Sequence, residues 1–126
     1  MSNQKLESHV VSLEIAQELV EAGWKKETEF RWYQQYDKEW KLRHKAVVKE
    51  GWVYQSIPAP LATEILEELP YEINADLPHW LKIEKEDTSY IVSYSDENSD
   101  DLIFYQEELL ATLAKMWLYL KKENLL

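Results

Sequence analysis

The stretch from Asp101 to Leu126, DLIFYQEELLATLAKMWLYLKKENLL, constrains the fold most. At about 100° per residue, Leu109, Leu113, Met116, Trp117 and Leu120 fall on one stripe, with Leu102 and Leu110 at its ends. An apolar stripe of that width must be covered, so the chain has to supply a core layer for this helix. Glu107, Ala111, Lys115 and Lys122 fall on the opposite side. Glu107 and Glu108 near the start and Lys121 and Lys122 near the end suit the helix dipole. Leu118 lies in the middle of the polar side and is the candidate for contact with a second chain, in which case the protein is a homodimer.

Strand patterns upstream supply the covering layer. EFRWYQQY, residues 29–36, alternates Phe30, Trp32, Gln34 and Tyr36 against Arg31, Tyr33 and Gln35, and its aromatic residues suit a pleated surface. Residues 38–49 form either a long loop or a short second strand through Leu42 to Val48. Gly51 then turns the chain into a strand from Trp52 to Ile57. Leu81 and Ile83 alternate with Lys82 and Glu84, Glu86 to Thr88 turn, and Tyr90, Val92 and Tyr94 complete a hairpin. Tyr71 to His79, with Asn74, Asp76 and Pro78, reads as a connecting loop.

Two further helices are punctuated locally. Ser12 N-caps one whose apolar positions are Ile15, Ala16, Leu19 and Val20, and Gly23 closes it with Trp24 folded back onto Leu19. In IPAPLATEILEELP, Pro60 suits a first helical position, Leu61, Ile65 and Leu69 face inward, and Pro70 ends a helix of about ten residues. The order is α-β-β-α-β-β-α. Short links between neighbouring strands favour antiparallel pairing. The expectation is an α+β domain with one antiparallel sheet of four or five strands and three helices mainly on one face. Residues 1–11 read as a flexible tail and 12–126 as one domain, which suits a chain of 126 residues.

Charge and composition narrow the function. The net charge is −10, and it is unevenly placed: residues 1–50 hold 9 basic and 9 acidic side chains, residues 51–126 hold 5 and 15. Such a field keeps a small protein in solution, repels nucleic acid and acidic membranes, and speeds encounter with a basic partner. The basic stretch around Lys38, Lys41, Arg43, Lys45 and Lys49, with Trp40 inside it, has the composition of a surface for single-stranded nucleic acid. With this net charge it reads instead as a solvated edge strand whose lysines block edge pairing. No segment approaches the roughly 20 apolar residues of a membrane span, and no apolar run near the start suits a signal peptide, so a cytoplasmic protein is expected.

The chain lacks the common motifs of chemistry. Gly23 and Gly51 are its only glycines, so neither the dinucleotide loop nor the P-loop is present. There is no cysteine for a thiolate nucleophile or thiolate metal site. His9, His44 and His79 share no metal-site spacing. Asp96, Asn98, Asp100 and Glu107 fall at positions 1, 3, 5 and 12 of a calcium loop. Asp101, however, stands where that loop needs glycine, and the segment entering it reads as a strand. An acidic turn with Asp100 or Asp101 capping the last helix accounts for the same residues. No catalytic, cofactor-binding or metal-ligating residue is assigned, and no cofactor is expected.

Taken together, IPAPLATEILEELP, LLATLAKMWLYLKKENLL and SLEIAQELVEAGW followed by EFRWYQQ resemble small uncharacterised proteins of tailed phages and prophages, over Ser12 to Leu126. The resemblance implies an α+β domain in a bacterial or phage-infected cytoplasm, with no activity attached. The expected function is that of a phage or prophage accessory protein, a non-enzymatic module that binds another protein of host or phage through an acidic surface. In its sharpest form it is an acidic inhibitor that imitates nucleic acid on a host defence protein. The alternative is a small carboxylate- and metal-dependent hydrolase or nucleic-acid-processing enzyme.

Overall fold

A computed structural model describes residues 7–47 and 53–126, apart from the side chains of Val47, Val53 and Tyr54. The expected turn at Gly51 and strand start at Trp52 lie outside the described residues, as do residues 1–6 and Lys49. The order is α1 (Leu13–Glu21), β1 (Phe30–Gln35), β2 (Trp40–His44), a 3-10 turn (Lys45–Val47), β3 (Val53–Pro58), α2 (Ala62–Glu68), β4 (Glu72–Ala75), β5 (Leu77–Lys85), β6 (Tyr90–Ser95), β7 (Asp101–Glu107) and α3 (Leu109–Lys122). The fold is α+β, with three helices and antiparallel pairing throughout the described strands.

The strands form two sheets where one was expected: three strands ordered β2-β1-β3 and four ordered β4-β5-β6-β7. The chain divides into two compact units, Met1–Glu64 and Ile65–Leu126. The extra strands come from the two segments read otherwise in the sequence.

In the first unit, α1 begins and ends as its local sequence dictates. The Ser12 hydroxyl accepts from the Ile15 amide at 3.2 Å. At the other end Gly23, at φ 106, lets its own amide reach the Val20 carbonyl at 3.0 Å and the Trp24 amide reach that of Leu19 at 2.9 Å. This is a Schellman ending, and Trp24 is buried with Leu19. Trp32 pairs with Leu42 and Ile57 across the sheet, so the three share a face, and its indole donates to the Val11 carbonyl at 3.1 Å. The 38–49 alternative resolves as strand over Trp40–His44.

The expected tail at 1–11 is wrong at its end. Val10 and Val11 are buried, Val10 bridges to Leu61, and the Val11 amide donates to the Pro60 carbonyl at 3.1 Å. Two adjacent β-branched residues here act as a short extended segment along the approach to α2. That approach also moves the helix start: Pro60 precedes α2, which runs for seven residues, Ala62–Glu68. One oxygen of Glu64 accepts from the Leu61 amide at 2.7 Å, a return bond of the capping-box type, and the other accepts from the Glu29 amide at 3.0 Å.

In the second unit two expectations are corrected. Glu72–Ala75 is a strand where a loop was expected; it pairs with β5 through Asn74↔Pro78 and Ala75↔Leu77. Asp76 alone turns the chain, at φ 69, a conformation that Asp tolerates better than most residues. Pro78 costs no bond to β6, because pairing with β6 starts only at Trp80↔Ser95. Asp101–Glu107 is also a strand, where the start of the last helix was expected. Its residues Leu102 to Tyr105 are apolar or aromatic on both faces, so the pairing of β7 with β6 decides the conformation.

The last helix therefore starts at Leu109, with Glu108 as N-cap making no side-chain cap bond. It packs on β6 and β7. Leu113, Met116, Trp117 and Leu120 are buried as the stripe requires, each contributing about 1.5–3 kcal/mol. Ala111, expected on the polar side, is buried as well, with Thr112 and Ala114. Leu118, expected in the middle of an exposed polar side, is half-buried. Small side chains at 111, 112 and 114 widen the buried face beyond the stripe of large ones. Asn124, at φ 57, closes the helix, with the Leu125 amide reaching the Leu120 carbonyl at 2.8 Å.

Candidate interaction surface

The acidic link is a hairpin turn. One carboxylate oxygen of Asp96 accepts from the amides of Asn98 at 2.9 Å and Asp100 at 3.0 Å. The backbone closes the same turn through Asp96 N–H to the Asp100 carbonyl and Ser99 N–H to the Asp96 carbonyl, both at 3.0 Å, with Ser99 at φ 63. Asp101 accepts from the Ser95 hydroxyl, so neither Asp100 nor Asp101 caps a helix. Glu107 stands at the far end of β7, six residues from Asp101 and about 20 Å away at the rise of a strand. It pairs there with Lys115. The strand thus keeps Glu107 apart from Asp96, Asn98 and Asp100, and the calcium-loop spacing does not become a coordination sphere.

The histidines belong to different segments of the chain. His9 is exposed. Nδ1 of His44 accepts from the Ala46 amide at 3.1 Å, so Nε2 carries the proton that faces Glu29 at 3.0 Å. His79 is buried on β5, and its Nδ1 donates to the Leu77 carbonyl at 2.7 Å. Among the described residues no three His, Asp or Glu side chains form a group that could hold a metal ion. Within the basic stretch, Lys41 donates to Gln35 at 3.3 Å and Arg43 to the Leu42 carbonyl at 2.8 Å, while Lys38 and Lys45 are exposed. Trp40 is half-buried in the same strand as Lys41 and Arg43.

The second sheet presents a different surface. Register places Leu81, Val92, Tyr94, Ile103 and Tyr105 on one face, where Val92 and Tyr94 are fully buried and the Tyr94 hydroxyl donates to the Pro70 carbonyl at 2.6 Å. Burial pushes the Tyr94 phenol well above its ordinary value of 10.0, and moves Tyr105 in the same direction. The other face carries Trp80, Ile91, Ser93, Leu102 and Phe104. Leu102 is 37% and Phe104 54% exposed, large values for apolar side chains on a strand. Both belong to β7, the last strand of its sheet. No sequence signal marks them, because exposure here depends on which strand has no neighbour.

Charge surrounds this apolar strip. Residues 65–126 contain 14 acidic and 5 basic side chains, so the second unit holds nearly all of the chain's net charge of −10. Asp100 and Asp101 stand at one end of β7, and Glu107 and Glu108 at the other; all four are exposed. No helix among the described residues is long and apolar enough to cross a membrane. Comparison with protein-family models, with curated proteins and with solved structures gave no match.

Proposed function

We propose that this chain is a non-enzymatic protein-binding module, a phage or prophage accessory protein of the bacterial host cytoplasm whose second unit carries the binding surface. The observation behind this reading is the coincidence of exposed Leu102 and Phe104 with acidic groups at both ends of the strand that bears them. Apolar side chains supply the desolvated contact, and the surrounding negative field selects a basic partner and speeds its approach. Capture from a host lysate tests it. The tagged protein should retain a basic protein at low salt and release it as salt rises, and the reversal of Glu107 and Glu108 to lysine should abolish that retention. Retention of nothing basic, or equal retention by the reversed variant, overturns the reading.

A further inference from the structure

The outer edge of β7 gives the partner a more definite form. Among the described strands β7 pairs with β6 alone. In an edge strand every second residue turns its N–H and C=O outward, so a seven-residue strand offers groups from about three residues for another strand to bind. Charge or proline within a strand is one device that keeps an edge from pairing, and a bulge is another. Here the five central residues, Leu102 to Gln106, contain neither charge nor proline, the charges stand at the ends, and the one irregularity of register with β6 falls between Asp101 and Ile103, leaving Ile103 to Glu107 in regular pairing. Leu102 and Phe104 would flank an added strand on the exposed face.

We infer that β7 is a docking edge for an extended segment of a partner protein, apolar in its middle and basic at both ends, added as a fifth strand of the second sheet. This rests on the protein-binding reading above and specifies the site. Charge decides the occupant. A second copy of β7 pairing antiparallel about Phe104 would set Asp101 opposite Glu107 twice, like charge against like, in a unit already strongly negative. A segment with lysine or arginine at each end would meet Asp100 and Asp101 at one end and, at the other, Glu108 beside Glu107, which also pairs with Lys115. Main-chain bonds would then supply affinity, and the alternate side chains selectivity.

The probe is a synthetic peptide that alternates valine with threonine and carries two lysines at each end, titrated into the full chain by fluorescence anisotropy. Saturable binding is expected, weakened about tenfold or more when the terminal lysines become glutamates, when alternate amides of the peptide are N-methylated, or when the chain carries Phe104→Lys. Hydrogen exchange should slow at the amides of Leu102 to Gln106 when peptide is added. Equal binding by the N-methylated peptide, or protection elsewhere than on β7, overturns the edge site. Dimerisation without peptide that protects β7 overturns the occupant. If a basic protein is captured alike by the wild type and by Phe104→Lys while the peptide does not bind, the edge site fails and the protein-binding reading stands. Absence of both peptide binding and capture removes both.

Discussion

The Tyr94 hydroxyl and the Pro70 carbonyl, 24 residues apart, are joined by a hydrogen bond of 2.6 Å at the buried face of the second sheet. Tyr94→Phe keeps the ring and removes the donor, leaving the carbonyl short of a partner. A loss of about 1 kcal/mol in urea unfolding at neutral pH is expected. The folded state favours the neutral phenol, so this stabilisation is present in full below pH 10 and is lost as pH rises beyond it. The deficit of Tyr94→Phe should therefore shrink in alkali, read by circular dichroism between wild type and variant across that range.

Glu64 holds two backbone amides with one carboxylate, those of Leu61 and Glu29. Glu64→Ala frees both and should cost about 1 kcal/mol in thermal unfolding. Glu64→Gln retains one acceptor oxygen and should lose less. Equal loss in the two variants would mean that the amide bonds carry little of the effect.

At φ 106, Gly23 occupies a region that a Cβ disfavours. Gly23→Ala should destabilise the first unit by about 1–2 kcal/mol. Asn124→Gly, at the equivalent ending of α3, should change stability by no more than about 0.5 kcal/mol. Paired urea melts of the two variants check both values.

Asp96 closes the β6–β7 turn by accepting two amides. Asp96→Ala should cost about 1 kcal/mol, and Asp96→Asn, which keeps the acceptor, should cost less. Calcium at millimolar concentration should produce no binding heat by calorimetry. A stoichiometric heat would show that Glu107 or another ligand reaches the turn.

Ala114 is fully buried on α3. Ala114→Leu should lose about 1–3 kcal/mol by overpacking despite its better hydrophobicity. Denaturant unfolding followed by far-ultraviolet circular dichroism would report it.

Features fixed by a few adjacent residues were legible in the sequence. Ser12, Gly23 and Trp24 delimit α1 as expected, and the alternation from Leu81 to Tyr94 forms the central hairpin. Asp101 to Glu107 misled because Leu102 extends the helical stripe while the strand's own alternation has no polar face to reveal it. Asn74 and Pro78 signal a loop by type, yet they face each other in a ladder. The partition into two sheets depends on long-range pairing, which periodicity does not encode. The β7 edge was invisible for the same reason: the sequence shows an apolar run, and only topology shows that it is the last strand of its sheet among the described residues.

The second sheet runs β4-β5-β6-β7, in chain order, whereas in the first sheet β3 must pass the β1–β2 hairpin to reach the far side of β1. Each pairing of the meander closes only a short loop, while the β1–β3 pairing brings Gln34 to Gln55 across the β2 segment. Low contact order favours rapid assembly. The half of the molecule that carries the net charge can therefore zip together strand by strand, and the slower step in reaching the native state is expected in the other half, which must recruit β3 to complete its sheet.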